Sequence, residues 1–353
     1  MKTKILLLVS IFVISGLSIG FNVSAQETDI NDTALEEAIA ADENITADDL
    51  GVSEPTILPD SPLYFVKNLW RGVKTTLTFN PIKKAELRLQ IANEKLIEAK
   101  KLAEKTGEEE AFQKTLEKYQ QTMEKIRERV EKFKEKAADN PKIDDFLNKY
   151  TNRVMLQQRL MDGLEKKFSD DPEKLQEMEQ VRERVMENFG EIINKLEDKD
   201  KIADRLDKIT EDIEGSQYKN FKNLEVLLEL ENKVPEQAKE AIQKAQENAL
   251  KQLHGDLNNM SPEDQAKFKT YLEKINGDQN AQLRIIEKLK EQQSSQNLQN
   301  NLNQIKSRIN ERIKERVENC KNLCGDGKCQ QVVCMAIGCP CAETVVSCPQ
   351  DCK

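Results

Sequence analysis

The chain has 353 residues, of which 33% are charged and 5% are aromatic, and its formal net charge is −9. A compact globule of this length would bury more large rings, so the composition favours long helices that each bury one narrow seam. The acidic balance leaves no basic excess to neutralise phosphates, which argues against nucleic acid as a partner.

The first 25 residues have the pattern of a secretory signal peptide. Lys2 and Lys4 form a basic end, residues 5–21 form an apolar run, and Val-Ser-Ala at residues 23–25 offers a small-residue cleavage site. An uncleaved anchor is the alternative, because a run of this length lies near the lower limit for spanning a bilayer. The pattern predicts an exported protein (secreted, periplasmic or at the cell surface) that touches the membrane only if the leader is kept.

Residues 26–60 form an acidic segment with eleven Asp and Glu residues and no Lys or Arg. Large apolar groups are few, and Pro55 and Pro59 interrupt the segment. This composition predicts a disordered linker with one short helix around Thr33 to Ala41. We expect a solubilising spacer, and an acidic docking tail is the alternative.

From residue 61 to residue 319 the sequence has regular helix starts and apolar seams. Apolar side chains recur at steps of three and four, as in helices that pack on other helices. Short connections favour antiparallel neighbours. The fold predicted is all-α, an elongated antiparallel helical bundle or coiled-coil hairpins, with a helical domain over 61–215 and a second helical region over 216–319. The prolines at plausible first helical positions are Pro62, Pro81, Pro141, Pro172, Pro235 and Pro262.

The first of these helices carries the only tryptophan, Trp70, on its apolar face. We expect this ring in the core, packed against Leu89 or Leu96 of the next helix. The alternative is an exposed aromatic binding face that also includes Tyr64 and Phe65. The other apolar residues of the face are Leu63, Val66, Leu69, Val73 and Leu77.

The stretch from Leu58 to Ala103 contains LPDSPLY, then a tryptophan, then LTFNP, KKAELRL and EKL. These motifs resemble the signature of an exported prokaryotic family whose helical domain has no known function. The segment KVPEQAKEAIQKAQENA, from Lys233 to Ala249, is similar to a recurring element of such proteins. The resemblance implies an envelope or secreted location and a helical body, and the family has no assigned catalytic residues to carry over to this chain.

All eight cysteines fall in residues 320–353. A segment this small cannot bury enough apolar surface to fold unaided, and behind a secretory leader the usual remedy is a set of disulfides. Eight cysteines allow 105 pairings, so the sequence does not determine the connectivity. A pair of four-cysteine zinc sites is the alternative. The residues are Cys320, Cys324, Cys329, Cys334, Cys339, Cys341, Cys348 and Cys352.

Within this segment, CGDGKC at residues 324–329 and CPQDC at residues 348–352 resemble a small module of exported microbial proteins. That module has a CGDG opening, a glutamate in the middle and a CPxDC close, and Glu343 matches the middle position. Asp326, Glu343 and Asp351 are hard oxygen ligands and form a candidate calcium site. In the other interpretation, Asp326 and Asp351 cap turns.

His254 is the only histidine, and its neighbours suggest a helix end. Ser-His-Asp, Cys-His and histidine-metal sites would each need this residue, and we expect a structural role for it. The sequence has no glycine-rich phosphate loop. We therefore expect a protein that is not an enzyme and has no cofactor apart from the candidate calcium ion.

These observations favour a non-enzymatic exported scaffold or interaction protein of the cell envelope or extracellular space. We expect a protein partner, contacted through the cysteine-rich segment. A homo-oligomer is also possible, because the apolar seams of the helices can pack against another copy of the chain. The alternative is an extracytoplasmic ligand- or calcium-binding sensor, or a chaperone-like protein.

Overall fold

The structure is a computed structural model, and all regular secondary structure among its described residues is α-helical, which confirms the all-α prediction. The predicted signal peptide lies outside the described residues. Among the described helices, none combines the length and the apolar character that spanning a lipid bilayer requires. The residues described are 32–352, except 106, 235, 276, 293–295 and 335–337.

The described part of the chain forms twelve helices. They are α1 (Asp32–Glu43), α2 (Tyr64–Leu77), α3 (Pro81–Ala103), α4 (Glu109–Val130), α5 (Pro141–Lys167), α6 (Pro172–Leu196), α7 (Lys199–Asp212), α8 (Lys219–Glu231), α9 (Glu236–Asn259), α10 (Pro262–Lys274), α11 (Gln279–Gln292) and α12 (Gln296–Glu318).

Four helices begin at a predicted proline behind a side-chain cap. Pro81, Pro141, Pro172 and Pro262 are first residues of α3, α5, α6 and α10, and the Asn, Asp or Ser before each accepts a backbone N–H of the first turn. The cap satisfies a backbone donor that has no partner within the helix. In contrast, α2 begins two residues after Pro62.

One continuous apolar core joins helices from both predicted helical regions. The α3–α4 hairpin packs beside α5 and α6, while α8 contacts α5 and α6 on one side and α9 and α11 on the other. For example, Phe189 of α6 and Leu227 of α8 are buried in the same cluster. Described helices on both sides of the boundary predicted at residue 215 therefore share one core.

The acidic N-terminal segment is part of the folded body. Its apolar side chains, among them Leu35, Ile39 and Leu50, are buried in the common core, and α1 packs on α5 and α10. The buried Asp42 accepts hydrogen bonds from Ser216. The prediction of a disordered linker over residues 26–60 is therefore wrong for the described part, which begins at residue 32, and residues 26–31 lie outside the described residues.

Candidate docking surface

Helix α2 turns its apolar side to solvent. Trp70 is 67% exposed and Leu69 is 65% exposed, so the prediction that this tryptophan lies in the core is wrong, and its ring does not pack against Leu89 or Leu96. The alternative of an exposed aromatic face describes α2 better, except that Tyr64 is buried on the opposite side. We call the exposed set the α2 face, and it comprises Leu63, Phe65, Val66, Leu69, Trp70, Val73, Leu77 and Phe79.

Polar side chains on the other side of α2 attach it to α3. The Tyr64 hydroxyl donates to Glu98 at 2.5 Å. The Arg71 guanidinium donates to Glu98 at 2.8 Å and to Glu94 at 2.9 Å. Lys67 lies 2.7 Å from the same Glu98 carboxylate. Three side chains of α2 thus converge on one buried carboxylate and attach the polar side of the helix to α3. The apolar side of α2 is exposed.

The electrostatics of this contact keep the Glu98 carboxylate ionised at neutral pH. Burial alone would raise the pKa of Glu98, but hydrogen bonds from Arg71 and Lys67 and the charge of Arg71 hold this pKa below its usual range. Burial and the neighbouring Glu98 raise the pKa of Tyr64, so its hydroxyl stays protonated and donates. Burial, and then the charge of Arg71, lowers the pKa of Lys95 to about 8.

The segment that carries the α2 face is basic. Residues 61–85 contain five Lys and Arg and no Asp or Glu, although the whole chain has a net charge of −9. Two of the five, Lys67 and Arg71, are paired with the α3 carboxylates. The other three are Lys74, Lys83 and Lys84, for which no ion pair occurs among the described residues.

An open cavity of about 600 Å³ lies between α2, α3 and α5. Its lining includes four cationic side chains, Lys74, Lys83, Lys149 and Arg153, and one carboxylate, Glu86. Glu86 forms an ion pair with Lys149 at 3.0 Å. The lining therefore has a surplus of positive charge beside the α2 face.

A second basic group lies where the start of α3 meets the end of α4. Partial burial and the charges of Arg129, Arg88 and Lys132 lower the pKa of Lys84. Arg88 of α3 also donates a hydrogen bond to the Lys125 backbone carbonyl of α4, so basic residues of the two helices lie close together at this junction. This junction thus collects basic side chains of α3 and α4, although the whole chain has a net charge of −9.

The cysteine-rich segment is a disulfide module, as the sequence predicted. All eight cysteines are paired, which confirms the disulfide interpretation over the zinc one. The module docks on the start of α6, where the Gln176 side chain accepts a hydrogen bond from the Cys334 amide at 2.8 Å. The pairs are Cys320–Cys341, Cys324–Cys348, Cys329–Cys352 and Cys334–Cys339.

The three predicted calcium ligands each accept hydrogen bonds from backbone amides. Asp351 accepts from Gly325 and Gly327, both of which have the positive φ that favours glycine. Asp326 accepts from the Lys328 amide at 2.8 Å, and Glu343 accepts from the Gln330 amide at 3.0 Å. Among the described residues, these three carboxylates do not lie close enough together to bind one metal ion.

Among the described residues of the module, one group of possible metal ligands converges, and it consists of Cys324, Cys348 and Asp351. Its two sulfurs form a disulfide with each other and are not thiolates, the form in which cysteine binds metals. The turn-capping interpretation of Asp326 and Asp351 thus has direct support from their contacts. Calcium binding stays a prediction.

His254 lies within α9, which continues through Gly255 to Asn259, so the predicted helix end comes later than expected. The Nε2 atom of the ring is 3.0 Å from the Gln292 carbonyl oxygen at the end of α11. This contact joins two neighbouring helices. It supports the structural role expected for the histidine.

A buried ion cluster at the centre of the bundle was not predicted. Lys222 of α8 is fully buried and lies 2.7 Å from Asp162 and 2.9 Å from Glu225. Arg182 of α6 lies 3.1 Å from the same Asp162 and 2.9 Å from Glu229. Asp162 of α5 therefore connects two buried cations and three helices.

Carboxylates outnumber cations in this cluster, because Glu43 and Glu165 also contact Lys222 and Arg182, respectively. Burial raises the pKa of Glu225 to about 7, against the attraction of Lys222. The sequence did contain one signal: Lys222 and Glu225 are three residues apart in the most apolar helix. This pair faces the interior because consecutive residues 220–228 of α8 are all buried.

The sequence profile of one family matches residues 56–323, and its description reads "Domain of unknown function (DUF5667)". The chain belongs to this family. The DUF5667 domain covers α2 to α12 and reaches the start of the disulfide module, which confirms the expectation of a helical domain of unknown function. No curated protein and no solved structure matches the chain. The membership therefore assigns no activity, and the α2 face is the feature that most needs a functional explanation.

Proposed function

We propose that this protein is a non-enzymatic exported scaffold that attaches to the surface of the cell envelope through the α2 face. The exposed apolar side of α2 carries this proposal. Large contiguous apolar patches on a folded protein mark interaction sites, whereas scattered apolar residues do not. Since the buried contacts of Arg71 and Glu98 fix the orientation of the helix, the exposure is built into the fold.

The disulfide module supports the location. Four disulfides are typical of proteins outside the cytoplasm, where thiols are not kept reduced. The sequence predicted that this module makes the contact with a partner. Among its described residues, the exposed large apolar side chains are Val345 and Val346, a much smaller surface than the α2 face. We therefore assign the attachment to α2.

Fractionation of the native cells tests the proposal. Washed envelopes are compared between the wild-type protein and the double variant Leu69→Ser with Trp70→Ser, and the protein in each fraction is quantified. The double variant is expected to move from the envelope to the soluble fraction, because it removes the centre of the apolar surface.

The matched control is Val345→Ser with Val346→Ser, which removes exposed apolar groups from the disulfide module. This control is expected to stay with the envelope. If the α2 variant keeps the wild-type distribution, or if both double variants are released equally, the α2 face is not the attachment site.

A further inference from the structure

We infer that the α2 face binds the surface of an anionic lipid bilayer. This inference rests on the proposed function and names the component to which the protein attaches. A helix that lies on the outside of the body, with its apolar side outward and its polar side inward, has the geometry of an interfacial membrane helix. The predicted leader is not needed for this contact.

The composition of the face favours lipid. Trp70 lies near the middle of α2, and Phe65 and Phe79 lie near its two ends. Tryptophan is enriched where a membrane meets water, because its ring has an apolar body and a polar N–H group. A row of large exposed side chains inserts into a fluid surface without needing a complementary groove.

The charges around the face favour an anionic lipid. Lys74, Lys83 and Lys84 have no ion pair among the described residues, and residues 61–85 contain no acidic residue. A protein with a net charge of −9 would otherwise be repelled by an anionic surface. Positive charge collected around the apolar side chains makes α2 the part of the protein that such a surface attracts.

The open cavity beside α2 adds a place for a headgroup. Lys74 and Lys83 line it from α2 and α3, and Lys149 and Arg153 line it from α5. Lysine and arginine are the side chains that bind phosphate groups. A phosphodiester in this cavity would lie next to acyl chains that contact Leu77 and Phe79.

A second copy of the chain suits this surface less well. In a twofold contact the same patch occurs on both sides, so each copy would bring its Lys74, Lys83 and Lys84 to the same interface. Like charges that face each other across an interface are destabilising. An anionic bilayer supplies the opposite charge and receives the apolar side chains at the same time.

Vesicle binding by the full-length mature protein, monitored by its own fluorescence, tests the inference. Trp70 is the only tryptophan, so its emission reports directly on the α2 face. Vesicles of phosphatidylcholine mixed with phosphatidylglycerol are expected to shift the emission to shorter wavelength, whereas pure phosphatidylcholine is not. Leu69→Ser with Leu77→Ser is expected to weaken binding by roughly tenfold or more. Lys83→Ser with Lys84→Ser should also weaken it by roughly tenfold or more.

The charge control is Lys251→Ser with Lys328→Ser, which removes two exposed lysines from α9 and the disulfide module. This control is expected to bind like the wild type. Circular dichroism and light scattering accompany each measurement, so that loss of fold or self-association is recognised directly.

Three results would overturn the lipid inference. Equal binding to both vesicle types would contradict an anionic ligand. No vesicle binding, combined with α2-dependent attachment in cells, would identify a protein partner and leave the proposed function intact. No vesicle binding, combined with self-association that Leu69→Ser with Leu77→Ser abolishes, would identify a second copy of the chain.

Discussion

Replacing Glu225 with glutamine is expected to stabilise the protein at alkaline pH and to change little at acidic pH. Glu225 is fully buried in α8, where it accepts hydrogen bonds from Lys222 at 2.9 Å and from Gln282 at 3.1 Å. The cluster around it holds more carboxylates than cations, so ionising Glu225 adds uncompensated negative charge. Glutamine keeps the size and an acceptor but can never ionise.

The magnitude follows from the pKa of this group. Burial raises the pKa of Glu225 from 4.5 to about 7, so between these values the native state holds a proton that the unfolded state has lost. Stability is therefore lost as the pH rises from 4.5 through 7. For this one group the loss is below about 1 kcal/mol at pH 5 and about 3 kcal/mol at pH 8. Glu225→Gln should recover this loss, so the stability advantage of the variant should grow by about 2 kcal/mol between the two pH values.

Urea unfolding at pH 5 and pH 8 measures this difference for the wild type, for Glu225→Gln and for the control Glu247→Gln. Glu247 is exposed on α9, so its variant removes the same charge without affecting the cluster. The control is expected to show the same pH dependence as the wild type. If Glu225→Gln destabilises the protein at pH 8, the carboxylate is stabilised as an ion pair with Lys222, and the reasoning is wrong.

Two further variants test the attachment of helices to the body. Arg71→Met removes the main cation beside the buried Glu98 carboxylate and should lower the stability of the α2 contact by about 3 kcal/mol. Faster amide hydrogen exchange in α2 would report this loss. Adding Glu98→Gln to Arg71→Met should restore much of the lost stability. Asp42→Ala leaves Ser216 and the Tyr271 hydroxyl without their acceptor and should cost about 3 kcal/mol. Since residues 26–60 contain no Lys or Arg, a glutamate-specific protease must detect the release of this segment, and unchanged cleavage would contradict the anchoring role.

Helix starts were predictable because their cause is local. At Asn80-Pro81 and Ser261-Pro262, the cap and the proline ring act on the first turn alone, so two neighbouring residues are sufficient to predict the helix start. Disulfide formation was equally accessible from the clustering of cysteines. Their pairing was not, since it depends on how the chain brings distant residues together.

The N-terminal segment shows why composition alone misled. The charge of the segment suggested disorder, yet its Leu35, Ile39 and Leu50 side chains are buried in a core that the rest of the chain provides. The apolar surface that receives a segment lies elsewhere in the sequence, at positions that no local pattern connects to it. The same is true of Lys222, whose partner Asp162 is 60 residues away.

Trp70 was misplaced for a different reason, and this reason connects the fold to the proposed function. Periodicity shows that a helix has an apolar side, but the neighbour decides where that side points. Helix α3 already uses Leu89 and Leu96 in the common core, and the side that it offers to α2 carries Glu94 and Glu98.

Turning α2 inward would place leucines against the Glu98 carboxylate and remove Arg71 from it, at a cost of several kcal/mol. Burial of a large apolar side chain contributes roughly 1.5–3 kcal/mol, so burying the whole α2 face would contribute more free energy than losing the Arg71–Glu98 contact would cost. Within the chain, however, no apolar surface of α3 receives it. Among the described residues nothing covers the α2 face, so the free energy of burying it is available to a binding partner, which is what an attachment surface requires.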